Sequence, residues 1–118
     1  MSDPRFRVSL SHPAEDVVLV TVVGEVDVCS STSLREQLQR VLHDETRSLI
    51  VDLAGVPFMD SSGLGCLMGA AKRAIAAGSR LLVVAPRRHV RHVFGVMGID
   101  GVIPVCSSLD EAMALAQA

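Results

Sequence analysis

Residues 49–65 read LIVDLAGVPFMDSSGLG, and the fold turns on how the apolar run at their start breaks off. Leu49 to Leu53 is nearly continuous in branched apolar side chains, the pattern of a strand buried on both faces. Gly55 and Pro57 interrupt it. From near Ser61 the period changes: Leu64, Leu67, Met68, Ala71 and Ile75 recur at helical spacing and form an inward stripe that ends by Gly78. Strand, turn and helix in that order predict one unit of an α/β sheet. Asp60 and Ser61 then stand at the helix start as capping groups, beside N–H groups that have no intrahelical acceptor. The stripe leaves Ser62, Cys66, Gly69, Ala70 and Arg73 on the opposite, outward face, a surface low in bulk that a partner backbone can approach closely.

The same alternation extends in both directions. Residues 5–10 fit a short edge strand, and Val17 to Val23 a stronger one, with Gly24 ending it. Between Ser30 and His43, Leu34, Leu38, Val41 and Leu42 share one helical face while Arg35, Glu36, Gln39 and Arg40 cover the other. Ser30, Ser31 and Ser33 are candidate caps, the last forming a capping box with Glu36. Downstream, Leu81 to Ala85 reads as a strand, a helix follows Pro86 with Val90, Val93, Phe94 and Met97 inward, and Val102 to Val105 reads as a further strand. Leu109 to Ala116 closes the pattern as a helix. The expectation is α/β, a small sheet that is mostly parallel, or mixed if the first two strands pair as a hairpin, flanked by crossover helices.

Length and composition bound what such a sheet does. With 118 residues, 49% hydrophobic, 20% charged and 3% aromatic, the chain is expected to be a single domain over residues 1–118, its recognisable core running from about 6 to 115. A formal net charge of -2 offers no broad basic field for nucleic acid. No apolar run approaches the roughly 20 residues of a membrane-spanning helix, and the N-terminus lacks a secretion signal, so a cytoplasmic protein is expected. The three cysteines, Cys29, Cys66 and Cys106, form no CxxC pair and no zinc spacing with the four histidines. No phosphate-cradling GxxxxGK[ST] loop or protein-kinase motif set appears, so no intrinsic cofactor is expected.

Three segments carry a resemblance that runs over nearly the whole chain: GEVDVCSSTSLREQL, VDLAGVPFMDSSGLG and SRLLVVAPRRHVRHVF. Together they resemble the STAS domain of bacterial anti-sigma-factor antagonists, the SpoIIAA and RsbV type, with MDSSGLG the strongest part. The resemblance implies partner switching rather than substrate conversion. An unphosphorylated antagonist of this type binds an anti-sigma factor that is also a serine kinase and frees the sigma factor. The kinase, carrying ATP and Mg²⁺, phosphorylates the antagonist and releases it, and a PP2C-type serine phosphatase restores the binding form. The phosphorylated serine falls on Ser61, with Asp60, Ser62 and Gly63 beside it. The family's GELD-type turn falls on Gly24, Glu25, Val26 and Asp27, which implies that Asp27 lies near the acceptor serine; the alternative is that Asp27 caps the helix starting near Cys29 or Ser30. Glu25, Ser30, Ser31, Cys66, Gly69 and Arg73 are the candidate partner contacts. The segment VCSSTS departs from the His- or Thr-rich wording common at this loop and leaves partner specificity open.

Other readings stand beside that one. Arg73 either meets an acidic partner surface or solubilises its helix. Arg87, Arg88, His89, Arg91 and His92 form a basic cluster that serves as a solvated face, a partner contact or, against the acidic balance and the lack of interleaved aromatics, a nucleic-acid contact. A hydrolase would need Ser61 or Ser62 as nucleophile and His89 or His92 as base, but the GxSxG elbow is absent. A nearer alternative is a STAS interaction module in a stress-signalling assembly without direct control of a sigma factor. Neither the oligomeric state nor the cognate sigma factor follows from the residues.

Overall fold

The computed structural model describes residues 5–41 and 46–117. Among these residues five strands lie side by side in chain order: β1 (Arg7–Ala14), β2 (Val17–Val23), β3 (Ser48–Gly55), β4 (Arg80–Val84) and β5 (Val105–Cys106). β1 and β2 pair antiparallel, with Arg7 opposite Val23 and Leu10 opposite Val20. β2, β3, β4 and β5 are all parallel, with Leu19, Ile50 and Leu82 in one row across the sheet. The sheet is therefore mixed, with the antiparallel hairpin at one edge.

Each parallel step needs a crossover, supplied by α1 (Val28–Val41), α2 (Ser61–Ala76) and α3 (Arg88–Val96), the last followed by a 3₁₀ turn at Ile99–Gly101. Because the strand order never reverses, crossovers of one hand place all three helices on one face of the sheet. There Val18, Val20, Val22, Leu49, Val51, Leu53, Leu81 and Val83 pack with Leu34, Leu38, Leu64, Leu67, Val90 and Phe94. The other face is covered by α4 (Leu109–Ala116), which brings Ala112 and Ala116 onto Val17, Ile50, Leu82, Val84 and Cys106. Covered on both sides, β3 and β4 are apolar at consecutive positions, whereas β1, at the sheet edge, is mostly exposed apart from Val8 and Ala14 and tolerates Pro13.

The elements depart from expectation in four places. In α2 the buried set is Gly63, Leu64, Cys66, Leu67, Ala70, Ala71 and Ala74, while Ile75 is 60% exposed and Met68 half-buried. A single-stripe reading assigns one buried face, but α2 packs on both the sheet and α1, and its small residues let α1 come close. In α3 the helix ends at Val96, so Met97 lies beyond it and is 57% exposed. Val102 likewise precedes β5, which is only Val105–Cys106, and faces solvent. α1 begins at Val28, two residues before the expected start; Leu42 and His43 of its expected end lie outside the described residues. No helix among the described residues is long and apolar enough to cross a membrane.

Candidate functional site

At the carboxyl ends of β2 and β3 the two following loops stay together. Gly24 N–H donates to Gly55 O at 3.1 Å, Val26 N–H to Phe58 O at 3.0 Å and Asp60 N–H to Val26 O at 3.1 Å. Val26 and Met59 form a parallel bridge. Gly24 turns the chain here at φ 109°, a backbone setting that side chains rarely accept, with Phe6 and Arg5 pressed against it. One residue beyond the bridged pair on each side stand Asp27 and Asp60, so two helix N-termini open at one edge of the sheet.

Asp60 caps α2: its Oδ1 accepts the N–H of Ser62 at 2.9 Å and of Gly63 at 3.3 Å. Ser61, the first helical residue, is exposed, and its hydroxyl is not committed to the cap. Of the two capping groups expected, only Asp60 performs that role. Replacing Asp60 with Ala is therefore expected to lower stability by about 1 kcal/mol, whereas Ser61→Ala is expected to stay within about 0.5 kcal/mol, both read from urea unfolding midpoints. Gly63 is buried directly above the bridge. A Cβ there would lie 2.7 Å from Val26 Cγ1 and 2.8 Å from Met59 Cγ, so the absence of a side chain lets α2 start this close to the paired loops.

Asp27 caps α1. Its Oδ1 accepts the N–H of Cys29 at 2.9 Å and of Ser30 at 3.1 Å, and the Ser30 hydroxyl in return accepts Asp27 N–H at 3.0 Å and lies 2.8 Å from Glu25 O as donor. This is a reciprocal cap with serine in the place usually held by Glu or Gln. The cap falls on Asp27, not on Ser30, Ser31 or Ser33. The Ser30 N–H, then that of Cys29, hold the Asp27 carboxyl below its ordinary value of 3.8. A carboxylate with a depressed folded pKa adds stability that is fully present above the unfolded pKa and disappears as pH falls through the folded one. The stability difference between wild type and Asp27→Asn, which keeps a capping oxygen but no charge, should thus be constant near neutrality and vanish in acid; urea midpoints along a pH series measure it.

The expected partner contacts divide. Glu25 is exposed, on the rim of a hollow of about 260 Å³ that Gly55, Pro57 and Arg87 share. Gly69 and Arg73 of α2 are half-buried. Ser30 and Ser31 are buried at 5% and 4% exposure, because the cap and the first turn of α1 draw their hydroxyls onto backbone oxygens, so neither presents a contact surface. Cys66 is also corrected: it is 1% exposed, enclosed where α2 meets α1, and burial pushes its thiol up against the opposing pull of Arg35 and Arg73. Cys29 is exposed and Cys106 buried, and all three cysteines are free.

Two residues join this edge that the sequence did not place there: Phe58, which carried no signal, and Arg87, known only as part of the basic cluster. Phe58 is 41% exposed and stacks on His89, ring centroids 5.8 Å apart and planes 16° from parallel. Arg87 Nε–H donates to Ala54 O at 2.9 Å. The start of the basic cluster is thereby tied to the loop that carries Ser61. Only an exposed aromatic in an otherwise aromatic-poor chain could have pointed to Phe58. Among the described residues no group of three or more His, Cys, Asp or Glu side chains is placed to hold a metal ion.

The geometry defines a small α/β domain that displays a serine hydroxyl at an Asp-capped helix start, framed by a second capped helix and an exposed aromatic. Residues 12–112 match the family described as STAS domain, and the chain belongs to that family. It is 29% identical over 97 residues to the anti-sigma-F factor antagonist RsfB of Mycobacterium tuberculosis, covering 82% of this chain and 79% of the relative. It is 31% identical over 86 residues to the anti-sigma-B factor antagonist of Staphylococcus aureus, covering 73% and 80%. In fold it matches the crystal structure of an anti-sigma factor antagonist from Mycobacterium paratuberculosis over 100% of both chains, with TM-score 0.88 and 25% identity. SpoIIAA in its unphosphorylated form matches at TM-score 0.79 and 22% identity, over 94% of this chain and 96% of that one, and its phosphorylated form from Bacillus has also been solved.

Proposed function

We propose that this protein is an anti-sigma-factor antagonist governed by reversible phosphorylation of Ser61. Unphosphorylated, it binds an anti-sigma factor that is also a serine kinase, and the sigma factor is freed. The kinase transfers the γ-phosphoryl group of ATP: the Ser61 Oγ–P bond forms as the γ-phosphorus to β-γ bridging oxygen bond breaks, the hydroxyl proton goes to a base of the kinase, and Mg-ADP leaves. ATP and Mg²⁺ belong to the kinase, and this chain contributes the acceptor. A PP2C-type serine phosphatase hydrolyses the phosphate and resets the cycle. The protein acts in the cytoplasm, as a binding regulator rather than an enzyme, without contacting DNA itself.

The observation that carries this reading is the exposed Ser61 hydroxyl at the first position of α2, beside a cap that Asp60 alone supplies. A group so placed takes on phosphate charge at a helix N-terminus without giving up a structural hydrogen bond of the cap. Support also comes from relatives that are anti-sigma factor antagonists. Asp27, Asp60, Ser62 and Gly63 form the setting of the phosphosite, and Glu25 with Phe58 lies on the docking side.

The test is to titrate the purified protein against the kinase-like anti-sigma factors of its source cell, with and without Mg-ATP, and to locate any phosphate by peptide mass. Saturable binding without ATP, and a single phosphate on Ser61 with it, are expected. Phosphate on another residue, or no binding to any such kinase, overturns the proposal.

A further inference from the structure

Among the described residues, the buried side-chain polar atoms that lack a hydrogen-bond partner are Nε and Nη2 of Arg73. The guanidinium lies back along α2, with Nη1 3.4 Å from where a Cβ on Gly69 would sit. The buried Cys66 of the same helix feels the charge of both Arg73 and Arg35 of α1. Two cationic side chains from facing helices thus converge on one seam, and the flat edge of one of them is sealed from water with nothing to donate to. A desolvated donor without an acceptor is costly, and for a charged group more so.

Resting on the proposed reading, we infer that Arg73 is a recognition residue, whose guanidinium fork turns outward to pair with an Asp or Glu carboxylate that the kinase-type anti-sigma factor brings to the α1–α2 seam. Turning outward gives up no hydrogen bond at Nε or Nη2, and the planar fork suits bidentate pairing with a carboxylate. On the same ridge of α2, Gly65 is exposed with no heavy atom within 4 Å of its would-be Cβ, so the helix surface leading to Gly69 and Arg73 carries no bulk. Phosphate on Ser61 is not the acceptor. Ser61 is one end of a helix on which Arg73 stands twelve residues later, about 18 Å along the axis. An acidic group of the partner is drawn to Arg73 and Arg35 at the seam, while partner groups docked at the start of α2 meet the phosphate on Ser61, so capture and release act at separate points of one interface.

The experiment compares wild type, Arg73→Met and Arg73→Lys for affinity to the anti-sigma factor kinase by titration calorimetry at low and high salt, and for melting temperature of the free protein. Arg73→Met is expected to bind at least about tenfold more weakly, with a flatter salt dependence, while melting at the wild-type temperature or above. Arg73→Lys keeps the charge without the fork and should fall between. Wild-type affinity in Arg73→Met overturns the inference, and so does a clear drop in its melting temperature, which would mean that the guanidinium already has its partner inside the fold. If wild type binds the kinase and is released by phosphorylation of Ser61 while Arg73→Met does the same, this inference alone fails. If wild type binds no such kinase, the proposed function fails with it.

Discussion

Phosphorylated on Ser61, the protein is expected to bind its kinase-type partner about a hundredfold more weakly, while its melting temperature hardly moves. The two effects separate because of where the hydroxyl sits. Phosphorylation brings about 1.5 to 2 negative charges and three acceptor oxygens to the start of α2, where backbone N–H groups and the helix dipole favour them. Within the domain nothing has to break, since Asp60 holds the cap. At the interface the same group must lose its water and faces whatever charge the partner presents, and such a penalty is uncompensated. Ser61→Ala should bind as wild type does and resist release by Mg-ATP. Ser61→Asp should be weakened less than the phosphoprotein, since a carboxylate carries less charge and a different shape. Calorimetric titration of the three forms against one partner decides it. Equal affinity for all of them would place the contact on another face. A collapse of folding in Ser61→Ala would return the hydroxyl to a capping role.

Gly63→Ala is expected to lower stability by about 1 to 3 kcal/mol, the ordinary cost of forcing volume into a packed site, and Gly63→Leu by the upper end of that range or more. For a chain of this size each kcal/mol lowers the melting temperature by about 4 °C. The added methyl would meet Val26 Cγ1 at 2.7 Å and Met59 Cγ at 2.8 Å. These are the two residues of the bridge that holds the site loops together. Relief therefore means moving α2 off the loops or parting Val26 from Met59, and either displaces Asp27 or Asp60 from its helix. Partner affinity should consequently fall along with stability. Val26→Ala in the same chain makes room on one side, so the double variant should lose less stability than the two single variants summed. Additive losses, or a Gly63→Ala protein that melts with wild type, would show that the contact is slack.

Much of the architecture was readable from local pattern. β2, β3, β4, α2 and α4 were expected within two residues of where they lie, because a switch from continuous apolar runs to helical spacing marks each border. The mixed sheet was anticipated as one of two options, the choice resting on a hairpin whose turn at Glu15 and Asp16 is short enough to force antiparallel pairing. Faces were harder. Periodicity names one inward stripe, so it put Ile75 inside and Cys66 outside; α2 in fact buries two sides, and its far end outruns its neighbours. The caps of α1 show the same limit. Ser30, Ser31, Ser33 and Asp27 all had the right chemistry, and only the pairing of Val26 with Met59 selects the residue at which the helix begins.

Order along the chain determined on its own that this protein builds alternating strands and helices, and that a serine follows an aspartate at the start of the second helix. Those are short-range matters of side-chain period and hydrogen-bonding capacity, settled within a few residues. The fold decided which of those groups face outward. Asp60 rather than Ser61 became the cap, Ser30, Ser31 and Cys66 were drawn inside, Phe58 came to rest on His89, and Arg73 was left with a sealed and unpaired edge. Each of these depends on the approach of segments distant in sequence, whose packing selects among neighbours that are locally equivalent.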